Sequence, residues 1–166
     1  MKLEFAPIGI IHSPFKKLED MPIQPAGAAG VTGRVEVFED YRAGLQDLDG
    51  FSHIILLYLF HRSRGFKLRV VPFLDSEPRG VFATRAPRRP NPIGLSVVRL
   101  DRIEDGVLYI RNVDVLDGTP LLDIKPCVPA FDAPGEVRTG WLGEAGKDVL
   151  NRKADGRFRE NGKDRG

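Results

Sequence analysis

Cysteine is nearly absent from this chain of 166 residues, which contains only Cys127. A lone cysteine cannot form an internal disulfide and is typical of proteins of the reducing cytoplasm, where we expect this protein to act. The histidines are also few, and His12, His53 and His61 do not have the spacing of zinc ligands. The sequence therefore predicts neither a disulfide framework nor a bound metal.

Long apolar runs are missing as well. The longest, residues 54–60, has seven residues, whereas a membrane-spanning helix needs about 20. Near the start of the chain, Lys2, Glu4, Pro7 and Gly9 interrupt any apolar segment of the kind a signal peptide requires. We therefore expect no membrane association and no export.

Several common catalytic and nucleotide-binding signatures do not occur. Gly27, Gly30 and Gly33 have the wrong spacing for a G-x-G-x-x-G fingerprint, and no apolar strand precedes them. The chain also lacks the P-loop, H-E-x-x-H and G-x-S-x-G patterns. A Rossmann cofactor domain is therefore not expected.

The size and charge of the chain fit one small globular domain. The net charge is only +2, and residues 151–166 contribute six basic and three acidic side chains, so the remainder carries −1. A nearly neutral body is not expected to coat nucleic acid broadly, although a local basic site would still bind phosphates.

Short apolar or alternating segments, joined by proline- and glycine-rich connections, favour a mainly β fold, either a barrel or a sandwich. The segment 51–60 is expected to be buried on both faces, with His53 as a core histidine. Glu104, Asp105 and Gly106 predict a hairpin turn, and Leu108, Ile110 and Val113 are expected to point inward. The predicted strands are residues 5–11, 34–38, 51–60, 69–72, 94–100, 107–115, 121–124 and 137–141.

Few helices are expected. One short helix is predicted from Asp40 to Leu48, with Asp40 as its N-cap and Gly50 after its end. Another is predicted for residues 143–150. Residues 16–33 hold prolines and glycines and predict a long loop, and such loops are often functional.

Residues 80–96, GVFATRAPRRPNPIGLS, are the most informative segment. Pro87, Pro90 and Pro92 stiffen the backbone, and a stiff backbone holds guanidinium groups at the fixed positions that carboxylate or phosphate binding requires. The polar side chains of the segment are Arg85, Arg88, Arg89 and Asn91. On the residues alone, a solvated proline-rich turn is an equal alternative.

Three further segments carry candidate residues. His61 and Arg62 follow the most apolar strand, a rigid support, although the residues alone favour a His61 that simply caps the strand over a catalytic one. A local turn is predicted for Asp117, Gly118, Thr119 and Pro120. Asp123 and Lys125 would project to one face of a strand and could form an ordinary surface ion pair. The sequence Pro22-Ile23-Gln24-Pro25 is weak evidence by itself.

The order and spacing of these motifs resemble the TsaA/TrmO family. The resemblance extends over about residues 5–141 and includes residues 8–15, 22–25, 47–63, 80–96 and 114–126. It implies a single β-barrel-like domain with short helices and long Pro/Gly-rich loops, placed at residues 1–142. Residues 143–166 would then form a short helix and a charged flexible tail. In this chain, Cys127 stands where the family pattern commonly has a tyrosine.

The resemblance also implies a function. Members of the family are S-adenosylmethionine-dependent methyltransferases, usually homodimers, that methylate N6 of N6-threonylcarbamoyladenosine beside the anticodon of tRNA. The implied cofactor contacts are Pro22, Ile23, Gln24, His61, Arg62, Arg85, Leu95, Asp117, Gly118, Thr119 and Pro120. The expected substrate contacts are Arg88, Arg89, Asn91 and Lys125.

The catalytic residue stays open at this point. A general base would help to remove the proton of the attacking nitrogen, and Asp117, Asp123 and His61 are its candidates. Two other functions also fit: a methyltransferase acting on another RNA or a small molecule, and a non-enzymatic module that binds the cofactor.

Overall fold

The computed structural model describes residues 3–22, 25–72, 75–133 and 135–145, and it shows a mainly β fold. The strands of this part of the chain are β1 (Gly9–His12), β2 (Thr32–Val37), β3 (His53–Leu59), β4 (Arg69–Val70), β5 (Arg79–Gly80), β6 (Ile93–Glu104), β7 (Val107–Arg111) and β8 (Thr119–Pro126). Its helices are α1 (Pro129–Asp132), α2 (Leu142–Ala145) and the 3-10 helices Leu18–Asp20, Pro25–Ala28, Glu39–Leu45, Leu48–Gly50 and Val81–Ala83.

Six strands close into an antiparallel barrel in the order β1, β2, β7, β6, β3 and β8. The strand β1 completes the closure, because Ile11 pairs with Val35 of β2 on one side and with Thr119 of β8 on the other. The short strands β4 and β5 pair only with each other. This architecture confirms the predicted β-barrel and differs from a Rossmann fold.

The core of the barrel is built from alternate residues of its strands. Successive side chains of a strand point to opposite faces, so one residue in two faces inward. The predicted inward residues Leu108, Ile110 and Val113 are all buried. Each fully buried aliphatic side chain contributes roughly 1.5–3 kcal/mol to stability. The fully buried set also includes Ile11, Val35, Val37, Ile54, Leu56, Val98 and Leu121.

The predicted hairpin between β6 and β7 is confirmed. Asp105 and Gly106 have positive φ angles of 49° and 80°. Two consecutive residues with positive φ characterise the tight turn that matches the twist of antiparallel strands. The turn sets the register in which Glu104 pairs with Val107.

The expectation that residues 51–60 are buried on both faces is wrong. Ile54, Leu56 and Tyr58 are buried, but the residues between them are only half-buried because they face outward from the barrel. His53 belongs to this outward set and hydrogen-bonds Ser52, so it is not a core histidine. The wall of the closed barrel is a single sheet, so the outer face of each strand is not covered by a second layer of structure.

Three other expectations need correction. The helix predicted from Asp40 is a 3-10 helix that begins at Glu39, has no side-chain cap bond and buries none of its residues. Residues 137–141 form no strand, since the closed barrel leaves no free edge for one to join. The first strand begins at Gly9 instead of Phe5. Of the predicted helix 143–150, residues 146–150 lie outside the described part, as does the tail.

One end of the barrel, which we call the rim, gathers the candidate residues. It consists of the ends of β1, β3 and β7 and the beginnings of β2, β6 and β8. Residues 113–116, which connect β7 to β8, are all buried and close this end from inside. The loops at the rim are therefore supported from inside by this buried segment.

Candidate functional site

His61 and Thr119 join two of the predicted motifs at the rim. The Nδ1 atom of His61 lies 3.4 Å from Oγ1 of Thr119. The single hydroxyl proton of Thr119 is donated to the carbonyl of Leu116, at 2.7 Å, so Nδ1–H of His61 is the donor to Thr119. In this tautomer the lone pair is on Nε2, and the ring also hydrogen-bonds the backbone of Leu59.

His61 is neutral at pH 7. Its pKa is lowered from the usual value of 6.5, first because burial disfavours the charged form and second because the neighbouring Arg62 is positive. An uncharged imidazole with an available nitrogen is a proton acceptor. Of the three candidates for a general base, His61 therefore has the most suitable state.

Asp117 has a different environment. Although burial raises its pKa, the ion pair with Lys16 at 2.6 Å and the hydrogen bond from the Ser13 amide at 3.0 Å leave it below the usual value. Both carboxylate oxygens are thus occupied in holding residues 13–16 against the turn. In that turn Gly118 has a φ of 75°, as the predicted turn requires.

A buried polar chain lies directly beneath the rim. Ser96 donates a hydrogen bond of 2.6 Å to Oδ1 of Asp114, and its oxygen lies 3.0 Å from the hydroxyl of Tyr58. Because Ser96 has only one hydroxyl proton, Tyr58 is the donor in the second bond. Burial raises the pKa of Asp114 to about 6, and it also raises the pKa of Tyr58.

Arg85 is the cation associated with this chain. Its positive charge lowers the pKa of both Asp114 and Tyr58 against the effect of burial. The side chain of Arg85 is exposed, and within the described residues it forms no hydrogen bond or ion pair. The third predicted motif is thereby placed at the same end of the barrel, with a guanidinium open to an incoming anion.

The other arginines of the segment 80–96 hold the loop itself. Arg89 donates from Nη1 to the carbonyls of Thr84, at 3.0 Å, and Ala86, at 3.5 Å. Arg88 donates from Nε to the carbonyl of Arg64, at 3.1 Å. Asn91 is exposed on the same loop. The rigidity expected from the prolines is reinforced by these bonds.

Leu95, Asp123 and Lys125 lie on the outer wall of the barrel. Leu95 and Asp123 both pair with Leu57 of β3, one on each side. Asp123 accepts a hydrogen bond from the Ile124 amide at 2.9 Å and forms an ion pair with Lys125 at 2.8 Å. The surface ion pair foreseen from the sequence is present.

The β3–β8 register shifts between Leu57 and Tyr58, and such bulges are frequent beside functional sites.

The remaining predicted cofactor residues come from the loop before β2. Pro22 is half-buried, while Ile23 and Gln24 lie outside the described residues. Further along, the Gly30 amide donates to Asn112 at 2.9 Å, which attaches the loop to the end of β7. The loop therefore returns to the rim.

Tyr58, Ser96 and Asp114 were not among the residues selected from the sequence. A signal was present: Ser96 has the same strand parity as Gly94 and the buried Val98, and Asp114 lies between the buried Val113 and Val115. Polar residues at inward positions are unusual, and they need partners.

Two classes of site are not seen in the ranges that the structure describes. Within them, no group of three or more His, Cys, Asp or Glu residues is arranged to hold a metal ion. The same residues include no helix that is long and apolar enough to cross a membrane.

Solved structures show which class of protein this barrel defines. The crystal structure of TrmO from Pseudomonas aeruginosa superposes with a TM-score of 0.72 at 41% identity, covering 85% of this chain and 63% of that one. The model of the tRNA-methyltransferase O N-terminal domain family matches residues 10–133. The chain belongs to this family.

The relatives of this chain differ from it in length to different degrees. A probable S-adenosyl-L-methionine-binding protein of Pyrococcus abyssi is 55% identical over 93% of this chain and 84% of its own length. The tRNA (adenine(37)-N6)-methyltransferase of Mus musculus is 38% identical over 77% of this chain. This chain spans only 31% of the mouse enzyme and 63% of the Pseudomonas structure.

Proposed function

We propose that the chain is an S-adenosylmethionine-dependent methyltransferase that acts on N6 of adenosine 37 in tRNA. The observation that carries the proposal is the rim itself, where the neutral His61 and the exposed Arg85 come from two separate motifs. The mouse relative is named for this activity, and the Pyrococcus relative for binding the cofactor.

The residues at the rim fit S-adenosylmethionine, which carries an activated methyl group on a sulfonium, a carboxylate and an adenine ring. The exposed guanidinium of Arg85 matches the carboxylate. Leu95, on the outer wall near the beginning of β6, is 43% exposed although apolar, and it offers a surface for the ring. A Cβ added at Gly118 would meet open space, so the turn leaves room beside His61 and Thr119.

The protein has two tasks in such a transfer. It must fix the nucleobase nitrogen in line with the methyl group, and positioning of this kind supplies roughly 7 kcal/mol or more. It must also accept the proton that N6 loses, and we assign this role to Nε2 of His61. Asp117 and Asp123 are already engaged by Lys16 and Lys125, so they serve the structure of the loop and the outer wall.

The finer proposal is that the adenosine carries an N6-threonylcarbamoyl group. This group adds a carboxylate to the base, and arginines are the usual partners of carboxylates. Arg88, a predicted substrate contact on the loop that carries Arg85, is our candidate for this carboxylate. Arg89, Asn91 and Lys125 remain predicted substrate contacts. The cytoplasm is the compartment proposed for the reaction.

The experiment is a methyl-transfer assay with labelled S-adenosylmethionine and tRNA that either bears or lacks the threonylcarbamoyl group. We expect label in N6-methyl-threonylcarbamoyladenosine alone. Label in unmodified adenosine would refute the finer proposal. Because several relatives are named only as binding proteins, the second candidate is a binding module, which would bind the cofactor and leave every tRNA unlabelled.

A homodimer is part of the proposal. The outer wall formed by β3 and β6 is apolar, although the outward face of an isolated strand pair is normally polar. Its half-buried or exposed residues are Ile55, Leu57, Leu59, Ile93, Leu95 and Val97. A second copy would cover this face beside Leu95. Light scattering of the wild type and of Val97→Lys tests this: we expect a dimer and a monomer, and a monomeric wild type would contradict it.

A further inference from the structure

Residues 61–72 and 75–92 form a small unit beside the rim, which we call the rim lobe. It contains the β4–β5 pair and a separate apolar cluster of Val70, Val81 and Ala86. The Phe60 amide donates to Pro92 at the base of the lobe, and Ser63 donates to the carbonyl of Pro87. The lobe is thus a folded extension of the site and not a loose loop.

The rim lobe concentrates the positive charge of the chain. Residues 61–92 include eight basic and two acidic side chains, a net +6, whereas the whole chain has +2 and the rest therefore −4. One of the two acids, Asp75, is paired with Arg79 at 2.7 Å. Four basic side chains of the first half are exposed: Arg62, Arg64, Lys67 and Arg69.

Two aromatic rings stand out of this basic surface. Phe66 is 53% exposed and Phe82 is 75% exposed. Phe82 lies on the 3-10 helix Val81–Ala83, whose Val81 is buried and whose Ala83 carbonyl accepts a bond of 2.8 Å from Trp141. The ring is therefore presented on a fixed backbone, and its exposure is not the result of a frayed end.

Basic side chains interleaved with exposed rings match the chemistry of single-stranded RNA. Phosphates are attracted by Lys and Arg, and unstacked bases pack on aromatic faces. The core of a protein–protein interface is usually depleted of charged residues, whereas the exposed Phe66 lies in the sequence between the exposed Arg64 and Lys67. The charge therefore favours RNA over a protein as the occupant.

We propose that the rim lobe is the surface on which the single-stranded loop of the RNA substrate docks. Lys67 and Arg69 contact its phosphates, and Phe66 and Phe82 stack its bases. This inference rests on the proposed function for the identity of the RNA, since it would bring an anticodon loop to the rim that holds His61.

The test compares matched pairs of variants. Phe66→Ala/Phe82→Ala is paired with Phe131→Ala, a phenylalanine that is 83% exposed on α1 at the opposite end of the barrel. Lys67→Ala/Arg69→Ala is paired with Arg102→Ala, near the β6–β7 hairpin. Fluorescence anisotropy gives the Kd for an anticodon stem-loop RNA over a range of KCl concentrations. Calorimetry gives the Kd for S-adenosylhomocysteine, and thermal melting confirms that each variant is folded.

We expect the double phenylalanine variant to bind the RNA at least about tenfold more weakly, and Phe82→Trp to restore stacking at that position. Loss of Lys67 and Arg69 should lower the slope of log K against log salt by about 0.7 for each phosphate contact. The two control variants and the affinity for S-adenosylhomocysteine should stay unchanged.

The outcomes separate this inference from the proposed function. If the wild type methylates tRNA and both lobe variants bind RNA as it does, the docking surface is wrong while the function stands. If stacking on the two rings is confirmed but no tRNA is methylated, the surface stands and the methyl transfer fails. If the wild type binds no RNA at any salt concentration, the proposal of RNA docking on the rim lobe is refuted, and a protein becomes the candidate partner of this surface.

Discussion

Ser96 donates a hydrogen bond of 2.6 Å to Asp114 inside the barrel, so a carboxyl group forms part of the core. The hydroxyl of Tyr58 extends this chain by one bond. All three residues lie beneath the rim, and the charge of Arg85 is their counterpart at the surface. The contact explains why a buried acid is tolerated there: it is hydrogen-bonded and electrostatically compensated.

Asp114→Asn should change how stability depends on pH. Burial raises the pKa of Asp114 from 3.8 to about 6, so the folded protein binds this proton more tightly than the unfolded chain. The group therefore costs stability as pH rises from about 4 to 6, by roughly 3 kcal/mol in total. Urea unfolding should show the variant gaining by that amount relative to wild type between pH 4 and pH 8.

Other acids do not disturb this comparison. The pKa values of Asp75 and Asp101 are lowered by backbone and arginine hydrogen bonds, and both proteins contain these residues. Their effects cancel in the difference. A difference in the free energy of unfolding that stays constant across this range would show that Asp114 is not a buried acid of raised pKa.

Gly94→Ala should destabilise the barrel by about 2 kcal/mol, because a Cβ at this position would overlap the ring of Tyr58. Shortening the side chain in Tyr58→Val would remove the overlap. A double-mutant cycle by chemical denaturation should give a favourable coupling of about 1 kcal/mol or more. Strict additivity of the two changes would mean that the glycine is not required by the ring.

Arg85→Ala and Arg89→Ala should affect different properties of the protein. Arg85 is exposed and acts on Asp114 and Tyr58 through its charge. Its loss should therefore weaken cofactor binding about tenfold and lower the Tm less than the loss of Arg89 does. Arg89 satisfies two loop carbonyls, so its loss should lower the stability by about 1–2 kcal/mol. Calorimetric titration with the cofactor and thermal melting of both variants test these predictions. If Arg85→Ala bound the cofactor with full affinity, Arg85 would not be a cofactor contact.

His61→Asn should lower kcat by about 100-fold or more, the usual contribution of a general base, with little effect on the KM for tRNA. Since the pKa of His61 is lowered by burial and by Arg62, the wild-type rate should stay constant near pH 7 and fall only at pH values below the usual histidine pKa of 6.5. The variant should lack that acidic limb. Parallel pH profiles of wild type and variant would assign the proton transfer elsewhere.

The sequence predicts the barrel where its strands alternate clearly. Residues 34–37 of β2 alternate polar and apolar side chains, and Val35 and Val37 are buried. The glycine after Asp105 marks the turn before β7. The run 54–60 has no such period, because the outward residues of β3 are apolar too, and its burial was therefore misjudged. The two-residue strands β4 and β5 are too short for any pattern to be visible.

The sequence predicts which residues belong to the site better than it predicts what each of them does. The motifs place His61 and Thr119 in contact, but the direction of the proton between them depends on the Leu116 carbonyl, which only the folded backbone positions. Arg85 and Arg89 are equivalent in the sequence. Their difference arises because the backbone of Thr84 and Ala86 turns its oxygens toward Arg89 alone.

Trp141, the only tryptophan of the chain, gives the protein an intrinsic optical probe. Its indole is bonded to Ala83, next to Phe82, and the guanidinium of Arg79 lies 5.7 Å from the ring centre. Emission from an indole depends on the charges and solvent around it. Ultraviolet excitation of the unlabelled protein can therefore follow events at this corner of the molecule in real time, without any engineered dye.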